Sequence, residues 1–230
     1  MNPEYAFTSA VIRGIAIRSV IIEATIFLAF ALCHSLLVMD RTKRFFISLL
    51  GPDAVRVYYR LFFTIISASA TAALVSAIAM LPDKTIAVLP TEVKIIFHVI
   101  QAAGIMFLAL PLKHLDGLEF IGVRQVWRRI RGQAAKGDVE GLSGAGFITA
   151  GVYGAVRHPL YLGGILVLTF ATRITINSLV FALLADIYFI VGAFIEERRM
   201  TARHGDAYKA YKREVPMFVP SVRGLLRMFR

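Results

Sequence analysis

Gly151-Val152-Tyr153-Gly154-Ala155-Val156-Arg157-His158-Pro159-Leu160-Tyr161-Leu162-Gly163-Gly164 is where a polar segment of the chain turns apolar. Proline lacks an N–H, so it fits the first turn of a helix, and it disfavours helix in the residue before it. A helix is therefore predicted to start at Pro159, with His158 as its extended flank. The first free N–H groups of such a helix suit a carboxylate or another anion. Gly163 and Gly164 lie one turn in, where a missing Cβ lets a ligand or a second helix come close.

The 230 residues are 57% hydrophobic. Soluble domains hold about 45–50% apolar residues. The excess falls in long runs, so the bilayer is the expected solvent. About 20 apolar residues cross the hydrocarbon. Runs of that kind lie near Ser19–Val38, Leu61–Met80 and Val93–Leu112, and Leu160–Ile195 is broken at Thr172–Asn177 into a helical hairpin with a short first arm. The expected fold is all-α and integral to the membrane, with about five transmembrane helices, the last two forming the hairpin. Residues 1–112 form a three-span region. Residues 113–230 form a C-terminal region of polar loop, hairpin and basic tail.

The net charge of +11 sits in the loops between apolar runs. Asp40–Arg56 reads as a basic loop, Lys113–Arg157 as a long polar segment, and the tail after Arg199 as basic, while the loop after the second run and the hairpin turn are nearly neutral. The positive-inside rule then puts the basic loops and the C-terminus in the cytoplasm. No basic-aromatic module points to nucleic acid, so anionic lipid is the expected partner of the basic surface. Cys33 is a lone thiol, which excludes an internal disulfide, and the five histidines lack ligand spacing, so no metal is expected. The N-terminus does not read as a cleavable signal peptide.

Several polar residues interrupt the runs. Glu23 is expected to snorkel or pair with Arg18, and His34 to face a chamber or cap the interface. His98 and Gln101, one turn apart, are expected to hydrogen bond between helices. Val123–Ile130 reads as a short surface helix, and the Gly-rich 132–151 as a lid or a connector. Gly144-x-Gly146 follows no strand and is discounted as a dinucleotide fingerprint. The topology is expected to bring the start of the Pro159 helix, Glu196-Glu197 and Tyr208/Tyr211 to one membrane face: N–H donors for a carboxylate, carboxylates for a cation, rings for a base.

Arg157-His158-Pro159-x-Tyr161-x-Gly163, then Glu196-Glu197, then Gly205-x-x-Tyr208-x-x-Tyr211 with Val215-Pro216, resembles the superfamily of isoprenylcysteine carboxyl methyltransferases and phospholipid N-methyltransferases. With Gly122-Val123-Arg124-Gln125-Val126-Trp127 upstream and His34-Ser35-Leu36, the chain looks most like the methanethiol-type S-methyltransferases. The resemblance covers about Asp116 to Pro220. It implies S-adenosyl-L-methionine as methyl donor at a cytoplasmic-face site. His158, Pro159, Tyr161, Leu162 and Gly163 would hold it, Glu196 and Glu197 would take its amino group, and Tyr153, Tyr208 and Pro216 would line the adenosine pocket. The chemistry implied is direct transfer to a thiolate, which needs orientation and desolvation more than acid–base work. Arg157 and Arg124 are the cations that would favour the thiolate, with Gln125, Asp116 and His34 on the acceptor side. The other acceptors implied are an isoprenylcysteine carboxylate or a lipid amine. Outside the resemblance, a non-catalytic membrane subunit or carrier, and a sterol-type reductase, are the competing readings.

Overall fold

The computed structural model describes residues 3–113, 116–134, 136–139 and 147–227. Helix α1 spans Pro3–Val38, α2 Asp40–Leu50, α3 Pro52–Ala79 and α4 Thr91–Ala109, the last continued by a 3-10 turn over Leu110–Lys113. Short helices α5 (Gly117–Phe120) and α6 (Val123–Ile130) follow, then a 3-10 turn at Gly151–Gly154, α7 (Pro159–Thr169), α8 (Ile176–Glu214) and α9 (Val222–Arg227). Two strands, β1 (Thr85–Val88) and β2 (Arg173–Thr175), pair antiparallel with Ala87 opposite Ile174 and a bulge between Thr85 and Ala87.

Four helical stretches are long and apolar enough to cross a membrane: Ala16–Val38, Pro52–Ala79, Thr91–Leu112 and Ile176–Glu214. Large apolar side chains along them, among them Leu32, Ile65, Val99 and Leu183, are exposed. That is what lipid-facing helices require, and the chain is an all-helical multi-pass membrane protein but for its two short strands. The fifth apolar helix, α7, has 11 residues. That is short of the roughly 20 needed to span.

Two expectations about the elements change. Asp40–Arg56 is not a loop. Its charges alternate with Phe46, Ile47 and Leu50 at helical spacing, and α2 forms with its end at Gly51 (φ 82°). The hairpin turn carries a strand, Arg173–Thr175, which pairs with β1 after α3. The hairpin's second arm does not stop near Arg199: α8 continues to Glu214, interrupted only at Gly205 (φ 57°, ψ −130°).

The chain forms two compact units, each built from separated segments. The first comprises residues 1–29, 73–108 and 160–199. In it, α7 packs on α4 where glycines remove bulk: a Cβ on Gly163 would lie 2.7 Å from Gly104 O and 2.7 Å from Leu108 Cγ. Small residues let apolar helices approach this closely without a hydrophobic drive between them. Gly164 makes room in the same way for the ring of Phe189 on α8. Gln101 donates through Nε2 to Val167 O on α7 (3.1 Å), a bond between helices, while His98 Nδ1 lies 3.1 Å from Gln101 Oε1 on its own helix. Thr169 donates to Asp186 (2.6 Å), tying the hairpin arms. Phe27 packs edge-on against Phe181 and Tyr188. Glu23, one turn before Phe27, neither snorkels nor pairs with Arg18. It is fully buried, with no hydrogen-bond partner for either oxygen among the described residues. Ser19, Glu23 and Phe27 recur every four residues, so the buried face of α1 takes Glu23 inward with them.

The second unit comprises residues 30–72, 109–159 and 200–230. Its interior includes Val55, Val57, Tyr59, Val152, Ala155, Val156, Tyr208, Tyr211 and Val215. Tyr59 donates to Leu37 O (2.6 Å), closing α3 onto the end of α1. His34 lies against Phe30 and Phe63 in this unit.

Candidate functional site

Within the second unit, the segment before Pro159 is extended and pinned to the tail. Arg157 N–H donates to Pro216 O (3.0 Å) and His158 N–H to Met217 O (3.3 Å). The Arg157 guanidinium donates to Lys212 O (3.1 Å) and to Val215 O. A helix ending at Glu214 leaves its last carbonyls without intrahelical partners. Arg157 supplies those partners from 55 and 58 residues away and places a cation where the helix dipole favours one. His158 is buried beneath this contact, its ring 6.0 Å from Phe218. Pro159 opens α7 as its chemistry predicts.

Tyr208 and Tyr211 stand 5.7 Å apart, both buried. Phe147 closes over them at 5.2 and 5.4 Å, with His204 at its other edge. Tyr211 donates to Tyr153 O (2.6 Å), which ties Tyr153 of the expected adenosine set to the tyrosine motif.

The run from Asp116 to Arg131 is a second cluster in the same unit. Asp116 caps α5 by accepting from the N–H groups of Leu118 and Glu119, both at 3.1 Å, and pairs with Arg124. Desolvation pushes the Asp116 carboxyl up. The Glu119 N–H, the bonded and charged Arg124 and the Leu118 N–H outweigh it and hold the group below the usual carboxylate range. Gln125 is buried and donates to Glu119 O (2.9 Å), while Glu119 reaches Arg128 at 3.7 Å. Gly122 (φ 90°) turns the chain into α6 where it meets the backbone of Arg60 and Leu61. Arg60 donates to Phe120 O (2.5 Å) and covers the Phe120 ring at 4.5 Å. Glu119 and Arg60 were not singled out in the sequence. Neither lies in a motif, and only the folded turn shows that Glu119 organises both Gln125 and Arg128.

In the first unit, Tyr161 stacks on Phe189 (5.9 Å) and hydrogen bonds Glu196 across the bare backbone of Gly192. Leu162 and Glu197 are buried, and Glu196 is exposed. The Cβ direction of Gly163 faces α4, so its lack of a side chain serves helix packing. Gly144-x-Gly146 and much of the Gly-rich 132–151 lie outside the described residues. Among the described residues no group of histidine, cysteine or carboxylate side chains has the arrangement of a metal site.

The chain is thus a multi-pass helical membrane protein. Comparison with known proteins gives this class a relationship. The chain is 32% identical over 129 residues to the methanethiol S-methyltransferase of Crocosphaera subtropica, a match covering 56% of this chain and 48% of the relative. It is 28% identical over 203 residues to methanethiol S-methyltransferase 1 of Bradyrhizobium diazoefficiens, covering 88% and 67%. A more distant relative is the protein-S-isoprenylcysteine O-methyltransferase of Schizosaccharomyces pombe, 27% identical over 134 residues and covering 56% and 53%. The chain spans about half the length of the curated relatives it matches. No family model and no solved structure matches it. The expected resemblance is borne out at the level of these relatives: the chain is similar in sequence to methanethiol- and isoprenylcysteine-type methyltransferases.

Proposed function

We propose that the protein is a membrane methyltransferase that uses S-adenosyl-L-methionine to methylate a small thiol such as methanethiol, through its C-terminal region 113–230. The observation that carries this reading is the run of methanethiol S-methyltransferases among its relatives. The local geometry adds support. Glu197 is a buried carboxylate and Glu196 is already oriented by Tyr161, an acceptor set suited to an ammonium group. The Tyr153–Tyr208–Tyr211 cluster is aromatic and hydrogen-bonded. On this reading Tyr161, Leu162, Glu196 and Glu197 hold the amino-acid end of the donor, and Tyr153, His158, Pro159, Tyr208 and Pro216 shape its adenosine side.

When bound, the donor supplies an electrophilic sulfonium methyl group. The protein's task is to align a thiolate behind that methyl and exclude water from it. Arg124 is the cation assigned to favour the thiolate, with Asp116 fixing its direction and Gln125 beside it on the acceptor side. Arg157 is assigned a positioning role, because its guanidinium holds the carbonyls that end α8. Five spans with cytoplasmic basic loops complete the reading, α7 crossing only in part.

A second acceptor, an isoprenylcysteine carboxylate, is favoured by one relative. The test is transfer of isotope-labelled methyl from S-adenosylmethionine by the purified protein in lipid, with a panel of short thiols, prenylcysteines and phospholipid amines. Labelled dimethyl sulfide from methanethiol supports the lead reading. Label confined to a carboxyl ester shifts the assignment to the second, and label on no acceptor from a folded, donor-binding protein overturns both.

A further inference from the structure

We propose that Arg56, Arg128 and Lys136 form a binding site for a phosphate group, beside the Arg124–Gln125 segment. These three cations line a single pocket in the second unit, with Val57 and Gln125 forming the rest of its wall. The pocket is shallow, with room inside for about one water, so a bound anion sits at its solvent-facing mouth. Arg56 enters from the first turns of α3, Arg128 from α6 and Lys136 from the segment after α6.

The charges do not balance within the protein. Arg56 is held by Asp53 at 3.4 Å through one terminal nitrogen, and that carboxylate is largely exposed. Its Nε is buried with no hydrogen-bond partner among the described residues. A buried N–H donor left unmade costs free energy, so this one calls for an acceptor. Arg128 meets Glu119 at 3.7 Å, a long contact that leaves guanidinium donors for another group. No carboxylate pairs with Lys136 among the described residues. Three cations against two carboxylates leave a net positive pocket. The planar guanidinium fork favours a multi-oxygen anion over a point charge.

The position selects the kind of anion. Asp53, Arg56 and Arg60 fall in the first three turns of α3, a helix long and apolar enough to cross a membrane, and charges at the end of such a helix suit headgroup depth. The neighbouring faces are built to touch lipid: Trp127 and Ile130 on α6 and Phe45 and Leu49 on α2 are exposed. Arg131 covers the Trp127 ring at 4.7 Å. The shared chemistry is therefore a tetrahedral phosphate oxyanion, either on an anionic phospholipid or free in solution.

Trp127 is the only tryptophan in the chain and adjoins Arg128, so its fluorescence reports occupancy without any methyl donor. The full chain is reconstituted in phosphatidylcholine vesicles. One arm titrates inorganic phosphate; the other replaces part of the phosphatidylcholine with phosphatidylglycerol. A saturable change with phosphatidylglycerol alone identifies a lipid headgroup as the source, and one with phosphate identifies a free anion. The Arg56→Gln/Lys136→Gln double variant is expected to weaken either response about tenfold or more, as loss of charge-assisted contacts predicts. Lys136→Gln alone removes an exposed side chain, keeps the fold, and is expected to weaken it several-fold. A wild-type protein that responds in neither arm, or a Lys136→Gln variant that responds like wild type, overturns the proposal.

Discussion

Gly122→Ala is the sharpest test of how the Arg124–Gln125 segment is held. Two independent penalties meet at this position. The backbone sits at φ 90°, where an L side chain costs about 1–2 kcal/mol. The added Cβ would also lie 2.2 Å from Leu61 N, 2.6 Å from Leu61 Cα and 2.7 Å from the Arg60 carbonyl carbon. Ordinary contacts lie at about 3.5–4.0 Å, so the backbones must part by about 1 Å. Neither side can yield by rotating a side chain, since the obstructing atoms are all backbone. Overpacking of this kind costs about 1–3 kcal/mol. The sum is about 2–5 kcal/mol. A chain of this size loses about 2–4 °C of Tm per kcal/mol, so a fall of roughly 10 °C is expected. Thermal unfolding in detergent, read by fluorescence, measures it. Gly117→Ala is the control, because nothing lies within 4 Å of its Cβ position and its φ is not positive. It is expected to leave Tm within about 2 °C of wild type, given the modest gain of replacing a helical glycine. The reasoning fails if Gly122→Ala shifts Tm no more than Gly117→Ala does.

Three further outcomes follow from the same contacts. Gly163→Ala is expected to destabilise by about 1–3 kcal/mol by forcing α7 off Gly104 and Leu108, seen as a lower Tm than that of Gly14→Ala, whose surroundings are open. Tyr211→Phe removes the donor to Tyr153 O and is expected to cost about 1–3 kcal/mol by leaving a part-buried carbonyl unpaired, again read as Tm. The Asp116 carboxyl is depressed in the folded state, so its contribution is present above the unfolded carboxylate pKa and is lost as pH falls through the lower folded value. A Tm–pH profile is expected to fall on the acid side in wild type, and more shallowly in Asp116→Asn.

How much could be read beforehand follows from where each signal lives. The start of α7 was legible because Pro159 constrains its own φ and its predecessor's conformation, a local effect. The long apolar helices were legible because bilayer thickness sets their length. Helix α2 was hidden because four charges in five residues look like a loop when their spacing is ignored. The true length of α8 was hidden for a related reason: Glu196–Arg199 reads as a polar end, yet charged residues with good helix propensity continue a helix. The role of Arg157 was not legible at all. Its partners, Lys212 and Val215, are distant in sequence, and a guanidinium poised for substrate has the same local signature as one that caps a helix. Gly163 left two options open, ligand or helix, and the contact with Gly104 answers for helix packing.

The most direct test of the central claim is calorimetric titration of S-adenosylmethionine into the purified protein, with Glu196→Ala as the paired sample. The account predicts saturable binding by wild type. It predicts binding at least about tenfold weaker in the variant, because a carboxylate that receives the donor's amino group is lost. Absence of binding by a folded wild-type protein in detergent and in lipid, or equal affinity in the two samples, contradicts it.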